Sequence, residues 1–477
     1  MNSELKKGLI FSAFGRYSVM LIQLLLNMIL SRILTPNDFG VVTMVNVFLV
    51  FFQMIADMGF GPAIIQNKNL DDKDVQSIYS LSGLIALCLV IIMNVFGGIY
   101  FVISDYKISS IFQILSISLF LYCLNIVPQS LILKAKNFKI INFSSVISSI
   151  ISALVAIILA IFGFGFYSLL MSQVINPFIM FIAFKKYTKK KILVLRLKGK
   201  IEKESIMKIW DFSKNQFTFN VLNYFSRNLD SIMIGSFMSA SLLGYYDKAY
   251  QLVLKPNQLL NSVLNPVVQP ILSEYENNKK IIYDFFKNVS IFMANIGFSI
   301  SVFIFLSSKE IILIMFGSEW GPSVIPLKIL SLSIGFQMIS SSTGAIFQSL
   351  NRTDILLKSG LYSSCVNISA IITGVLFKDI NILSLCLSIA FLLNSVIGSF
   401  LITKISSHSR YSNYISLLFK PLIVSFIQII PIIFVSNRVE NIFLLLALKI
   451  LIFCLSFLVG LFITGQINIF WKLLKKN

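Results

Sequence analysis

The chain has 477 residues, of which 56% are apolar and 13% charged, whereas a soluble globular chain carries roughly 25% charge. Too little charge is left to coat a water-facing surface of this size, which excludes a soluble enzyme, a disordered chain and a secreted disulfide scaffold. The 40 Lys and Arg outnumber the 20 Asp and Glu. That excess gathers between long apolar runs, the mark of membrane orientation rather than of nucleic-acid binding.

A helix needs about 20 mostly apolar residues to cross roughly 30 Å of hydrocarbon. On that measure the sequence predicts an all-α integral membrane protein of about fourteen spans. The first six are 8–30, 40–58, 78–102, 111–133, 143–162 and 166–184. After a basic gap come 217–237, 243–263, 286–306, 324–350, 355–377, 382–403, 415–435 and 442–464. The first run has a basic flank, Lys6-Lys7, but no small-residue cleavage site closes it, so it reads as a retained span.

Lys and Arg fall in alternate gaps. The gap between Phe184 and Phe217 alone holds eleven, while each gap on the opposite side holds at most one: Arg32, Lys107, Lys309, Lys378 or Arg438. This asymmetry places both termini in the cytoplasm. The run Lys185–Lys191 reads as an anchor beside anionic lipid. The tail, with Ile467, Phe470, Trp471 and Leu474 at i, i+3, i+4, i+7, reads as an interfacial helix. Lys328 and Lys449 stand alone in their spans and read as snorkelling or packing features. Cys88, Cys123, Cys365, Cys386 and Cys454 sit in apolar runs without a CxxC pair, as small buried hydrophobes. His408 is the only histidine. No catalytic constellation, cofactor site or metal site is expected.

The chain also repeats itself. Leu30-Ser-Arg-Ile-Leu-Thr-Pro-Asn-Asp-Phe-Gly40 and Ile234-Gly-Ser-Phe-Met-Ser-Ala-Ser-Leu-Leu-Gly244 each join the first two spans of a six-span block. Gly40 and Gly244 stand 204 residues apart, as do Pro62 and Pro266. Six spans return the chain to the same side, so the halves are expected to be parallel repeats around a cavity, as transporters build them. The expected organisation is an N-lobe at 1–184 (six spans), a basic cytoplasmic linker at 185–214 and a C-lobe at 215–404 (six spans). Two further spans at 405–466 and a cytoplasmic tail at 467–477 complete it.

Charge inside a span is costly and marks function. Arg16, Gln23 and Asn27 share one helical face, and Asn46, Gln53 and Asp57 repeat that spacing. Asn220, Asn223, Arg227 and Asp230 follow in the seventh span, then Asp247, Lys248, Gln251, Lys255 and Gln258 in the eighth. These four helices are the first pair of each repeat, so the stripes are expected to line one chamber. Arg16, Gln23, Asn223, Arg227, Lys248, Gln251 and Lys255 are the candidate substrate-binding residues. Asp57, Asp230 and Asp247 are the candidates for ion coupling or internal pairing. A chamber richer in Arg and Lys than in carboxylates suits an anionic cargo, with guanidinium and ammonium for phosphate and amides and hydroxyls for sugar. No GxxxxGK[ST] loop is present, so energy is expected from an ion gradient or the membrane potential.

Thr35-Pro-Asn-Asp-Phe-Gly40, Ala56-Asp-Met-Gly-Phe-Gly61 with Ile65-Gln66, and Asn223-Tyr-Phe-Ser-Arg-Asn-Leu-Asp-Ser-Ile-Met-Ile-Gly235 carry a resemblance, joined by Gly244-Tyr-Tyr-Asp-Lys-Ala-Tyr250 and Phe316-Gly-Ser-Glu-Trp320. The chain resembles the polysaccharide exporters of the multidrug/oligosaccharidyl-lipid/polysaccharide superfamily, in the colanic-acid and teichuronic-acid branch. The resemblance implies two six-helix lobes with two trailing helices in a bacterial inner membrane. It also implies flipping of undecaprenyl-pyrophosphate-linked oligosaccharide for O-antigen, capsule or exopolysaccharide assembly. The implied partners are that cargo, membrane lipids, a glycan polymerase and glycosyltransferases, with no nucleic acid. The alternatives are a cation-coupled multidrug exporter or a lipid II flippase of the same fold.

Overall fold

The computed structural model describes the backbone of residues 3–467 apart from 68, 104–105, 192, 198, 274–277, 351, 407–409 and 437. Side chains are also left undescribed at 3–13, 100–103, 106–108, 191, 211–212, 214–216, 218–220, 222–223, 225–227, 262–271, 273, 345, 353 and 406. The expected interfacial tail, past Ile467, and His408 therefore lie outside the described residues.

Apolar runs broken at Pro, Gly and Asn give helices and, among the described residues, no strand. The first eight are α1 (Ser3–Leu30), α2 (Pro36–Asp57), α3 (Phe60–Gln66), α4 (Asp72–Ile103), α5 (Tyr106–Lys134), α6 (Phe138–Ile161), α7 (Tyr167–Lys191) and α8 (Lys203–Phe237). They are followed by α9 (Ala240–Ser273), α10 (Lys279–Met315), the short α11 (Val324–Ser331), α12 (Ile334–Ser341) and α13 (Thr343–Ser349), then α14 (Thr353–Leu376), α15 (Ile380–Ser406), α16 (Tyr411–Ser436) and α17 (Ile442–Ile463). Ten helices among the described residues are long and apolar enough to cross a membrane, and a bent pair makes an eleventh. Outward-facing Leu84, Leu87, Ile91 and Val95 on α4 and Phe426 and Ile430 on α16 give those helices an apolar exterior suited to lipid. Cys88, Cys365 and Cys454 are exposed among such side chains, and only Cys123 is fully buried. The chain is an all-α multi-span membrane protein.

The expected single span 324–350 is instead broken into three short helices, with a 52° bend between Ser318–Ser331 and Ile334–Ser349. The cause is local. The hydroxyls of Ser331, Ser333 and Ser341 donate to the carbonyls of Lys328, Leu330 and Met338, three residues back, at 2.7, 2.6 and 2.6 Å. Such back-bonding competes with the helical ladder and bends it.

Packing divides the chain into two compact units, one of residues 1–235 with 239–244, the other of 236–238 with 245–477. In the first unit Val45, Leu49 and Phe52 of α2 meet Ile78, Ala86 and Met93 of α4 and Leu115, Leu119 and Val127 of α5. In the second, Phe286 of α10 stacks on Tyr414 of α16 at 5.3 Å. Lys328 sets its ammonium 4.7 Å from the centre of the Phe305 ring, a packing role.

Within the first unit, the corner into α2 packs against the start of α9. Thr35 and Asp38 close a capping box, with Pro36 in the first turn. A Cβ at Gly40 would fall on the Ala240 carbonyl, and one at Gly244 on the Pro36 carbonyl. Ser241 Oγ lies 3.5 Å from Asn37 Oδ1. The pairs 36/240, 37/241 and 40/244 all keep the 204-residue offset, so equivalent turns of the two repeats meet reciprocally. Both glycines exist for this approach of backbone to backbone.

The basic segment after α7 is docked by its backbone. Gln76 of α4 donates from its amide to the Arg196 carbonyl and accepts from Arg196 N at 3.0 Å. Ser80 Oγ accepts from Gly199 N at 3.1 Å, and Ser77 Oγ from Glu202 N at 2.9 Å. Lys208 pairs with Asp74 at 2.7 Å, and that hydrogen bond holds the lysine above its ordinary pKa. Lys185, Lys186, Lys189 and Lys190, by contrast, remain exposed at the end of α7.

Candidate functional site

Helices α1, α2, α5, α6 and α7 of the first unit surround a cavity of about 580 Å³. Its polar lining is Gln23 from α1, Asn46 and Gln53 from α2, and Ser118, Tyr122, Asn125 and Gln129 from α5. Ser149 and Ser152 of α6 and Ser172, Gln173 and Asn176 of α7 join it, and among the described residues no lining side chain is charged. Polar groups inside an apolar bundle face a cavity or a partner, because lipid satisfies neither donor nor acceptor.

A proline sets the far wall. Pro177 lies inside α7 and has no N–H, so the Gln173 carbonyl loses its helical donor. Ser118 Oγ of α5 takes that place at 2.7 Å, and Asn125 Nδ2 donates to the Pro177 carbonyl at 2.9 Å. The break in α7 is thus closed by side chains from α5. We expect Ser118→Ala to lower stability by about 1 kcal/mol, the scale of an interhelical hydrogen bond in a membrane protein. In a Pro177→Ala background, where residue 177 regains its N–H, the same change should cost much less. Thermal unfolding of the four proteins in detergent measures this, and equal losses in both backgrounds would show that Ser118 does not serve the proline gap.

In the second unit, α9 carries the basic stripe. Gln251 Nε2 donates to Asp247 Oδ2 at 2.7 Å, and Lys255, one turn further, is half-buried. Lys248 is fully buried, its ammonium 5.1 Å from the centre of the Phe316 ring and 5.5 Å from that of Trp320. Tyr246, Tyr250 and Phe391 stack in sequence alongside, at 5.5 and 6.4 Å.

The predicted residues therefore divide. Gln23 lines the first-unit cavity, as do Asn46 and Gln53 of the second stripe. Arg16 is exposed on α1 and absent from that lining. Asp57 ends α2, its carboxylate close to the Gly61 backbone. Asp230 is buried, with Ser231 N donating to it at 2.8 Å. The side chains of Asn223 and Arg227 lie outside the described residues. Lys248, Gln251, Lys255 and Asp247 lie together on α9, with Lys248 turned into its aromatic cage. The lining residues that the sequence did not single out are on α5, α6 and α7. Ser118, Tyr122, Asn125 and Gln129 follow one another at helical spacing on a single face, the same signal as the other stripes. The apolar runs 111–133 and 166–184 contain no charged residue to mark those faces.

The polysaccharide biosynthesis protein family matches residues 29–325. The chain belongs to that family. Among curated relatives it is similar to the teichuronic acid biosynthesis protein TuaB of Bacillus subtilis, at 22% identity over 362 residues, 74% of this chain and 73% of the relative. It is similar also to the lipopolysaccharide biosynthesis protein WzxC of Escherichia coli, at 22% identity over 403 residues, 83% of this chain and 80% of the relative. Among solved structures, the lipid II flippase MurJ in an inward closed conformation superposes with a TM-score of 0.75 at 16% identity, covering 94% of this chain and 98% of that one. The likeness shows the all-α membrane fold that the sequence motifs implied, and the family match takes in both α2 and α9.

Proposed function

We infer that the protein is a flippase that moves a lipid-linked oligosaccharide across the bacterial inner membrane by alternating access. Undecaprenyl pyrophosphate is the carrier chemistry that fits best, with both termini cytoplasmic and the two repeats forming six-span lobes. The observation that carries this reading is the stripe on α9, where Asp247, Gln251 and Lys255 recur every four residues along one long helix of a chain in the polysaccharide biosynthesis protein family. An ammonium half-buried in such a bundle calls for an anionic partner, and a pyrophosphate headgroup supplies one. Lys255 and Arg227 are the proposed headgroup ligands, with Arg16 nearer the cytoplasmic end and Lys248 stiffening the outer end of α9. A glycan polymerase and glycosyltransferases are the proposed partners, since they consume and supply such a cargo. A cation-coupled drug exporter would rely on free carboxylates, but Asp247 is engaged by Gln251.

Lys255→Ala and Arg227→Ala are each expected to lower glycan export at least about tenfold, the loss of one charge-assisted contact, with membrane protein levels unchanged. Export is read as surface polysaccharide in a host lacking its own exporter. Wild-type export by the double variant would overturn the reading.

A further inference from the structure

The first-unit cavity is chemically unlike the stripe on α9. We propose that it is a binding site for an uncharged sugar residue of the cargo glycan, a reading that rests on the proposed transport function and assigns a second site to it. Seven of its lining side chains are carboxamides, five carry hydroxyls, and none is ionisable at neutral pH. A carboxamide presents a donor and an acceptor in one plane, which suits the adjacent hydroxyls of a pyranose.

Two acceptors are already placed. Asn125, which borders the cavity, is more than nine-tenths buried; its Nδ2 is committed to the Pro177 carbonyl, so the amide orientation is fixed and Oδ1 has no hydrogen-bond partner. Asn46 Oδ1, across the cavity on α2, is likewise buried and unpartnered. A buried acceptor without a donor is costly, on the order of 1–3 kcal/mol, and a ligand hydroxyl removes that cost. The volume falls within the roughly 300–1,000 Å³ range of small-molecule sites, enough for a short piece of glycan.

The same lining selects against charge. Among the described residues no ammonium or guanidinium lines the cavity to replace the water stripped from a uronic acid carboxylate, so an acidic sugar is rejected here. Among the described residues no carboxylate lines it either, so it is poorly suited to a metal cation or an amine. The division of labour is a neutral site for sugar in the first unit and a cationic stripe for the anionic headgroup in the second.

The test compares two probes that differ only at carbon 6. Methyl β-glucoside and methyl β-glucuronide are each added at millimolar concentration to the full-length protein in nanodiscs free of glycoside detergent. Binding is read by saturation-transfer-difference NMR. We expect the glucoside signal to exceed that of the glucuronide at least about threefold, and to fall at least about threefold in Gln129→Leu and Gln173→Leu, the scale of one lost neutral hydrogen bond. Gln173→Glu, which keeps the size and adds a charge, should abolish the glucoside signal and serves if a leucine variant fails to elute as the wild type does. Equal signals from the two glycosides, no signal, or signals unchanged in the variants would overturn the proposal. Should that happen while Lys255→Ala still blocks export, the transport reading survives and only the sugar site falls.

Discussion

Cysteines placed at Asn37 and Ser241 are expected to cross-link and to stop export until the link is reduced. Ser241 Oγ and Asn37 Oδ1 are 3.5 Å apart, within reach of an oxidant or a short bis-methanethiosulfonate. Around them the first turns of α2 and α9 interlock, each glycine admitting the other turn's carbonyl. The reciprocity is that of a two-fold contact, in which residue i meets j and j meets i. A flippase that exposes its chamber alternately to each face must separate equivalent parts of its two repeats at some step. A covalent link between equivalent residues forbids that step. In a background whose five native cysteines are replaced by alanine, export should fall at least about tenfold on cross-linking, since a population locked in one state contributes nothing to turnover. It should return with dithiothreitol. Export at the uncross-linked rate by fully linked protein would show that this contact stays closed through the cycle.

The corner shows what kind of information survives in a sequence. Gly40 and Gly244 mark a backbone approach that any side chain would obstruct, so the repeat was readable from two glycines and a constant offset. The helices were readable too, because lipid admits little besides apolar helices with paired backbones. The break inside 324–350 was not, since its serines also suit an uninterrupted helix and only the bonding choices of Ser331, Ser333 and Ser341 bend the chain. Of the helices on which the polar stripes were read, α2 qualifies as a span among the described residues. The docking of the basic segment on Gln76 and Ser80 depends on contacts about 120 residues apart in the chain. The cavity was half legible. Gln23, Asn46 and Gln53 were singled out, while Asn125 and Gln173 acquire meaning only once Pro177 has broken its helix and the two helices face each other.

The pairing of Lys449 was hidden for a related reason, and it carries the largest expected loss of stability. The sequence placed Glu310 in a gap after a span ending near 306, but α10 continues to Met315 and brings this carboxylate into the bundle. There Lys449 Nζ of α17 sits 2.8 Å from Glu310 Oε1 and 2.9 Å from the Leu306 carbonyl. The lysine is 1% exposed. Lys449→Met strands a buried carboxylate and is expected to cost about 3–5 kcal/mol. Glu310→Gln should cost less, because the amide oxygen and the Leu306 carbonyl still receive the ammonium. Changing both residues to methionine removes both charges and should restore most of the loss, as apolar replacement of a whole buried pair commonly does. Unfolding of the three variants in detergent, followed by circular dichroism, measures the series. Single variants as stable as the wild type would mean that the pair contributes nothing. In lipid no hydrophobic force draws one helix to another, so an added helix such as α17 needs specific bonds to hold it on its unit. The ion pair to α10 supplies one, and its loss should free α17 before the rest of the second unit unfolds.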